Sequence, residues 1–442
     1  MLTVFLPNNN IPERKYIIKC IFSHFLGLDY NLVFGDYNSS VIAFNDKEIV
    51  VSDTFWRGEE ELAYLSINNL PKLCFYQGSF SKEDNLPVLY GSAKVDVMQN
   101  RIYCGIDIFS SVFFMLSRWE EYVVNKRDEH GRFIGKESVA YKYDLLRRPV
   151  VNEYIEFLWN MMYALGFKGN RKEKTFELVL THDIDYPYMR FRPLRVTKYI
   201  IKRMLEGHFV DAITYLPYFF YDPYNVFDFF MNESESYGAK SHFYFMSASP
   251  DEKVNLPSPY FSNVYLSIVN RIIKRGHLVG FHPGYSSTLN KDNWAQEKKR
   301  LEDFLNVKVC EGRQHYLRMD IPNTFTLWES NNMGMDSTLG YHDVEGFRCG
   351  TGDVFPIFNF LERKEYHLLE RPLIIMDVTL ISYQGYSDNH IKEILNHYIL
   401  MGKQYNMVVT FLFHNSSFLG MKGRRLKRIY KQTIDNIVAK TM

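Results

Sequence analysis

The sequence predicts an α/β protein in which a parallel β-sheet occupies the C-terminal two-thirds of the chain. Five short apolar segments show no alternation of apolar and polar residues, and helical patterns separate them. Such strands are buried on both faces, which is typical of a parallel sheet covered by helices. Five or more units of this kind predict a barrel or a doubly wound sheet. The five segments span residues 176–185, 241–246, 278–282, 373–380 and 407–414.

The helices between these strands are predicted from apolar residues that recur at helical spacing. This spacing places them on one face of a helix, which would cover the sheet. The predicted helices span residues 225–236, 264–274, 293–304, 390–401 and 423–438.

A smaller α/β domain is predicted in front of the sheet. The charged stretch GNRKEK, which carries Gly and Asn, has the composition of a linker. We therefore expect domains at 1–170 and 171–442. Within the first domain, alternating and apolar runs predict strands, and helical spacing predicts helices. These are a hairpin at 41–53, a strand at 86–91, helices at 107–122 and 152–167, and a polar turn at 127–133.

Composition narrows the class of protein. The chain has 442 residues, 46% of them hydrophobic, which suits two folded domains rather than a disordered chain. The net charge of +1 argues against a surface that is basic overall, so we expect no nucleic-acid partner. We also infer no obligate protein partner.

The cysteines and the apolar runs bear on the compartment. Five scattered cysteines never form a CxxC pair, which argues against a disulfide framework or a cysteine zinc site. No run of about 18 apolar residues is present, and the first residues lack the pattern of a secretory signal. We therefore expect a cytoplasmic protein.

Polar residues follow several of the predicted strands at the point where each strand ends. Asp183 and Asp185 end the first strand, His282 a later one, Asp377 falls late in LIIMDVTL, and His414 ends the last. Because the carboxyl ends of parallel strands meet at one edge of the sheet, these side chains are expected to lie together.

The THDID segment could carry acid–base or metal chemistry. On an extended strand, Asp183 and Asp185 face the same way, and two close carboxylates repel unless a cation or a proton separates them. One would bind a metal while the other acts as general base. The alternative is a pair of turn or cap aspartates after a strand.

The two histidines of GHLVGFHPGY are expected to differ. On an extended segment His277 and His282 point to opposite faces, so they are not expected to bind one metal together. His282, at the strand end, is the better ligand. His414, among hydroxyl groups after the last strand, could serve as a general acid.

Taken in order, these motifs resemble those of the polysaccharide deacetylases, the NodB-like carbohydrate esterases. The resemblance implies a distorted (β/α) barrel with fewer than eight strands. It implies that Asp183 is the catalytic base, and that Asp185 and His282 bind a divalent metal, with zinc preferred. His277 matches a residue that precedes the family's histidine motif.

One position departs from the family pattern. Ser286 stands where the family has a second histidine or an asparagine, and a hydroxyl is a poor zinc ligand. The third ligand could be Ser286, water, His277 or His182, or the site could be empty. These alternatives stay open at the level of sequence.

The remaining motifs complete the resemblance. GRQHYLR implies that Arg313 partners the catalytic base, with His315 in place of the usual proline. LIIMDVTL implies that Asp377 orients His414, the general acid of LFHNSSF. GFRCGT also resembles a segment of a bacterial subgroup of this family. The residues expected to contact substrate are Arg348, His315 and Tyr285.

The resemblance extends to the N-terminal region through DIFSSVFFMLSRWEEY and DEHGRF, which resemble a domain that precedes such deacetylases in a bacterial subgroup. The implied activity is hydrolysis of an N-acetyl group on a sugar or polysaccharide precursor. Two alternatives are a degenerate sugar-binding or scaffold protein of a surface-polysaccharide pathway, and a metal hydrolase of a non-sugar amide.

Two basic amphipathic segments suggest where the enzyme acts. One spans residues 189–205 and is followed by the aromatic-rich stretch 213–230; the other lies near the C-terminus, with Lys422, Arg424 and Arg425. Basic amphipathic helices can lie on anionic membranes. We therefore consider contact with the inner membrane face and a lipid-linked or nucleotide-linked sugar. The alternative is that both segments are solvated faces of packed helices.

Overall fold

The computed structural model describes residues 2–56, 60–189, 191–247 and 261–439. They form a mixed α/β architecture with two large sheets, as the sequence predicts. None of the helices in these residues has the length and apolar content needed to span a bilayer.

The N-terminal region contains a six-stranded mixed sheet in the order β2-β1-β3-β4-β8-β7, and β5 pairs with β6 separately. The predicted hairpin is confirmed, because β3 and β4 pair antiparallel. The strands are β1 (Leu2–Pro7), β2 (Tyr30–Gly35), β3 (Ser40–Phe44), β4 (Lys47–Val51), β5 (Cys74–Tyr76), β6 (Leu86–Val88), β7 (Gly91–Val97) and β8 (Arg101–Ile106). The helices are α1 (Ile11–Ile18), α2 (Ile108–Ser117), α3 (Glu120–Val123), α4 (Val139–Lys142) and α5 (Val150–Ala164).

The single helix predicted over residues 107–122 is wrong, because the chain forms two helices there. Asp107 caps α2 by accepting a hydrogen bond from the Ser110 amide. Arg118 adopts a left-handed backbone conformation (φ 54°) and ends the helix. Its buried guanidinium donates hydrogen bonds to Glu120 and Glu121, each 3.0 Å away. These contacts stabilise the break.

The C-terminal region contains a nine-stranded sheet in the order β14-β15-β13-β12-β11-β10-β9-β17-β16. All its neighbours pair in parallel except β14 and β15. All five predicted strands are present, but the strand predicted over residues 373–380 ends at Met376, and the chain is helical from Asp377. The strands are β9 (Glu177–Ile184), β10 (His242–Met246), β11 (Leu278–His282), β12 (Glu311–Gly312), β13 (Met335–Asp336), β14 (Phe355–Asn359), β15 (Lys364–Glu370), β16 (Leu373–Met376) and β17 (Val408–Leu412).

The expectation of fewer than eight strands is wrong for this sheet. Two of the additional strands, β12 and β13, are only two residues long, too short to leave an apolar pattern. Strands β14 and β16 form the two edges of the sheet. No strand pairing among the described residues joins these edges into a closed barrel.

Helices follow the strands of this sheet, and all five predicted ones are present. The apolar side chains of α13 at Leu426, Ile429, Tyr430 and Ile434 are buried. The basic segment near the C-terminus is thus a packed helix with a solvated face. The helices are α6 (Arg192–Leu205), α7 (Phe209–Ile213), α8 (Phe227–Ser236), α9 (Asn263–Lys274), α10 (Lys291–Leu305), α11 (Asn323–Ser330), α12 (Asp388–Tyr405) and α13 (Gly420–Ala439).

The two regions share one hydrophobic core. The ring of Tyr16 packs against that of Phe358, with centroids 4.8 Å apart, and its hydroxyl donates a hydrogen bond to the Pro356 carbonyl at 2.8 Å. Within the predicted linker, the Lys172 amide donates to the Leu26 carbonyl at 2.7 Å. The linker is therefore packed against the N-terminal region, and the domain division at residue 170 stays a prediction.

Candidate active site

A cavity of about 260 Å³ opens at the carboxyl ends of the strands. Asp183 lies near the end of β9, His282 ends β11, and His414 follows β17. Because these strands run parallel, their ends bring side chains that are distant in sequence to one place. The cavity is lined by Arg132, Asp183, Asp185, His282, His315, Tyr316, Leu317, Met376, Val378, Tyr383, His414 and Ser416.

Asp183 is held by a buried arginine. Nη1 of Arg313 donates to Oδ1 of Asp183 at 2.8 Å and to Oγ1 of Thr181 at 3.0 Å. Nε and Nη2 of Arg313 donate to the carbonyl and hydroxyl of Ser337, at 2.6 and 2.9 Å. A guanidinium fixed on several sides holds a neighbouring carboxylate in one orientation.

The backbone of the same arginine positions His282. Strand β12 approaches β11 so closely that a Cβ on Gly312 would lie 2.0 Å from the Phe281 carbonyl oxygen. A larger residue would force the strands apart at this point. The close approach lets the Arg313 carbonyl accept a hydrogen bond from Nδ1 of His282 at 2.7 Å. A carbonyl can only accept, so Nδ1 carries the proton and Nε2 presents a lone pair.

Asp185, His282 and His315 form a cluster in which one ligand atom of each residue lies within 4.8 Å of the others. Nε2 of His282 is 3.3 Å from Oδ1 of Asp185, and Nε2 of His315 is 3.6 Å from the same oxygen. Burial lowers the pKa of His315 to about 3, so its ring is neutral. Burial raises the pKa of Asp185, but nearby His315 and His282 outweigh burial, and the net pKa is lowered.

This cluster fits a divalent metal. Nε2 of His282 and Oδ1 of Asp185 are buried and have no hydrogen-bond partner among the described residues. A metal cation between these two atoms would satisfy both of them. Two neutral imidazoles and a carboxylate are the donor set of a catalytic zinc site with an open position.

His315 is aimed at this cluster by an unusual turn. The next two residues, Tyr316 and Leu317, have positive φ angles of 62° and 54°. Residues other than glycine adopt this conformation at a cost, and such strain clusters at functional sites. Both residues also line the cavity.

Asp377 orients His414, the lining residue that follows β17. Oδ1 of Asp377 accepts a hydrogen bond from Nδ1 of His414 at 2.7 Å, and Oδ2 accepts one from its amide at 2.8 Å. Burial lowers the pKa of His414, but the Asp377 carboxylate outweighs burial and raises it to about 9. The imidazolium form is therefore favoured at neutral pH.

Three residues considered as metal ligands do not line the cavity. The ring of His277 accepts a hydrogen bond from the Ser241 amide at 2.9 Å and lies 3.1 Å from Glu235. His182 stacks on Phe230, with ring centroids 3.6 Å apart, and donates to a backbone carbonyl. Ser286 is exposed and lies outside the lining.

The three residues expected to contact substrate lie in different places. His315 lines the cavity. Tyr285 packs edge-on against the lining residue Tyr316, with ring centroids 5.4 Å apart. Arg348 is buried elsewhere: Nε donates to Glu121 at 2.9 Å, and Nη1 donates to the Gly340 carbonyl at 2.7 Å. The structure therefore does not bring Arg348 to the cavity.

The sequence reasoning missed a contribution from the N-terminal region. Arg132 lines the cavity and donates hydrogen bonds to the Tyr383 hydroxyl at 3.0 Å and the Tyr316 carbonyl at 3.2 Å. Asp128 orients Arg132 by accepting from its Nε at 2.8 Å. The DEHGRF turn was visible in the sequence, but no local pattern places it beside strands from the other region.

Comparison with known proteins gives a family model for the N-terminal region and solved structures over a larger share of the chain. A model described as a family of unknown function (DUF7033) matches residues 2–166. No curated protein matches the chain.

Three solved structures illustrate the structural matches. A provisionally assigned polysaccharide deacetylase from Mycobacterium smegmatis is 15% identical, with a TM-score of 0.40, over 61% of this chain and 85% of that one. Another from Pseudomonas aeruginosa is 10% identical, with a TM-score of 0.37, over 61% and 90%. A family 4 carbohydrate esterase from Streptomyces lividans is 10% identical, with a TM-score of 0.31, over 60% and 91%. These matches name the same family that the motifs resemble.

Proposed function

We propose that this chain is a bacterial, cytoplasmic, metal-dependent hydrolase that removes N-acetyl groups from a sugar or polysaccharide precursor and releases acetate. The observation that carries the proposal is the cluster of Asp185, His282 and His315 beside Asp183, which accepts a hydrogen bond from Arg313. The order of the motifs, which resembles the polysaccharide deacetylases, supports the same activity.

The residues divide the reaction between them. Asp185, His282 and His315 would hold a divalent ion, with zinc the best fit to two imidazoles and a carboxylate. When bound, that ion supplies Lewis acidity toward the acetamide carbonyl and a water molecule. Asp183 accepts a proton from the attacking water, and Arg313 holds Asp183 in position. His414 donates a proton to the leaving amine as the carbon–nitrogen bond breaks.

The walls of the cavity favour this chemistry. Leu317, Met376 and Val378 line it with apolar side chains, and Leu317 and Met376 belong to a small buried core. Apolar walls exclude bulk water and strengthen electrostatic interactions inside the site. A carboxylate base and an imidazolium acid that line the same cavity then need no proton exchange with solvent during the reaction.

Ser286 stands where the family has a metal-binding histidine or asparagine, which would suit a degenerate sugar-binding protein without catalytic activity. His315 supplies a third donor within reach of Asp185, which favours a working hydrolase over a degenerate one. A metal hydrolase of non-sugar amides would use the same groups, so the choice between sugar and non-sugar amides rests on the motif resemblance and is a matter for substrate tests.

The test is acetate release from a panel of N-acetylated sugars and simple acetamides, using zinc-loaded protein and the Asp183→Asn variant. We expect acetate from at least one N-acetylated sugar, and a loss of about 10²–10⁴-fold in kcat in the variant at equal metal content. Release from simple acetamides alone would contradict the sugar substrate. No release from any amide by metal-loaded protein would contradict the hydrolase.

A further inference from the structure

Helices α6 and α7 and the turn through Tyr221 form a surface that we call the docking face. It carries apolar side chains on the exposed side of its helices, where the helices of soluble proteins normally carry polar ones. Val196 on α6 is fully buried, in a cluster with Met189, Tyr215 and others. Leu194, Ile201 and Leu205 project from the opposite side of the same helix, according to helical geometry. All three are exposed, Leu205 by 83%.

The exposed apolar surface continues beyond α6. Asp211 and Ala212 anchor α7, since the Asp211 carboxylate accepts from the Met421 amide at 2.8 Å. The apolar neighbours of these anchors face outward instead. The exposed side chains here are Phe209, Val210, Ile213, Leu216, Phe220 and Tyr221, with Phe220 exposed by 88%. Because α6 packs against α7, these exposed apolar side chains lie on neighbouring elements, and an accumulation of this kind is typical of an interaction site.

Basic residues border this surface. Helix α6 has no acidic residue and contains Arg192, Arg195, Lys198, Lys202 and Arg203. Lys198 is exposed and forms no ion pair with a described residue. Arg424 of α13 adds a cation beside α7 by donating to the Thr214 carbonyl at 3.3 Å. The only acidic residue of the α6–α7 connection, Glu206, is neutralised by Arg203 at 2.7 Å.

The docking face is fixed to the edge of the sheet where the cavity opens. The chain segment that carries the docking face begins directly after Asp185 and ends at Tyr224, so both of its ends lie at this edge. Nδ2 of buried Asn415, the neighbour of His414, donates to the Tyr186 carbonyl at 2.8 Å and to the Tyr224 carbonyl at 3.1 Å. Asn415 therefore holds both ends of the segment.

We propose that the docking face binds an anionic lipid bilayer, so that the cavity works on an acetylated sugar linked to a membrane lipid. Apolar side chains bordered by lysine and arginine match an acyl layer beneath anionic headgroups. A second copy of the chain fits less well, because two copies of this basic surface would repel. The substrate class rests on the proposed deacetylase function, whereas bilayer binding does not.

The binding test is co-sedimentation of the full-length protein with vesicles. We expect binding to vesicles of equal parts phosphatidylcholine and phosphatidylglycerol, weakened by salt, and little binding to phosphatidylcholine alone. A combined Leu194→Ser, Leu205→Ser and Phe220→Ser variant should reduce the partition coefficient about tenfold or more. The control is Val97→Ser with Met98→Ser, which removes apolar side chains that are also more than half exposed, at a place outside the docking face, and should leave binding unchanged.

A Phe220→Trp variant reports the contact directly, because its emission should shift to the blue when anionic vesicles are added. Absence of vesicle binding would overturn the proposal. So would a concentration-dependent dimer that the triple variant abolishes without any vesicle effect, since a second copy would then occupy the face.

The two proposals fail separately. Suppose that wild type and Asp183→Asn both bind vesicles but no amide releases acetate. This result would contradict the proposed hydrolase activity and would still support bilayer binding by the docking face. If the protein releases acetate from soluble N-acetylated sugars but does not bind vesicles, only the proposal of bilayer binding by the docking face is contradicted. Faster release from a vesicle-anchored acetylated sugar than from its soluble form, lost in the triple variant, would support both.

Discussion

Oδ1 of Asp185 and Nε2 of His282 lie 3.3 Å apart, and neither atom has a hydrogen-bond partner among the described residues. His282 cannot place a proton between them in its neutral form, because its Nδ1 donates to the Arg313 carbonyl. A metal cation held between the two atoms would satisfy both. The geometry of this pair therefore leads directly to the first prediction.

Metal content should depend on His315 and not on Ser286. We expect near-stoichiometric divalent metal, measured by elemental analysis, in wild type and in Ser286→Ala. We expect a large loss in His315→Ala and Asp185→Ala, because each removes a donor atom of the cluster. The opposite pattern, with metal lost from Ser286→Ala and retained by His315→Ala, would contradict the assignment of His315.

The alkaline limit of activity should report His414. Its pKa is raised to about 9 by Asp377, so activity that needs the imidazolium should fall as pH rises through about 9. The same pair stabilises the folded protein fully below the ordinary histidine pKa of about 6.5, and this contribution is lost as pH rises through about 9.

The Asp377→Asn variant tests this assignment. It removes the carboxylate that raises the pKa of His414, so the alkaline limb of the kcat profile should move to lower pH. Measurement of kcat against pH for both proteins, at equal metal content, checks the shift. An unchanged alkaline limb would mean that His414 does not supply the proton.

Arg132 should link the N-terminal region to catalysis. Because hydrogen bonds from a charged donor are worth about 1.5–3 kcal/mol, Arg132→Ala should lower kcat/KM by roughly 10–100-fold. The matched control is Arg127→Ala, since Arg127 donates to backbone carbonyls of its own segment and does not line the cavity. Equal kcat/KM losses in both variants would point to a general disturbance of the turn instead.

Arg348 should stabilise the fold rather than bind substrate. It pairs with buried Glu121 across the two regions, so in Arg348→Ala the buried carboxylates of Glu120 and Glu121 share Arg118 alone. Such a change costs about 3–5 kcal/mol of unfolding free energy, measurable by urea denaturation. The control is Lys299→Ala, which breaks an exposed pair with Asp303 and should cost about 0–1 kcal/mol. A raised KM with unchanged stability in Arg348→Ala would restore a substrate role.

Much of the fold could be predicted because its signals are local. The strands at β9, β10, β11, β16 and β17 are unbroken apolar runs, and the helices between them have a clear apolar period. The short strands β12 and β13 could not be predicted, since two residues carry no period. The break at Arg118 depends on buried carboxylates that accept its guanidinium, which no local pattern reveals.

The sequence by itself determined which residues end the strands, and therefore that Asp183, Asp185, His282, Asp377 and His414 would meet at one edge. Strand direction and residue order suffice for this, because parallel strands align their carboxyl ends.

Only the tertiary structure decided which remaining groups join them. It placed His315 rather than His277 or Ser286 beside Asp185, brought Arg132 into the cavity, and buried Arg348 against Glu121. These choices depend on the left-handed turn at Tyr316 and on packing between regions far apart in sequence. Side-chain identity sets what a residue can bind, but three-dimensional packing sets which atoms lie within bonding distance.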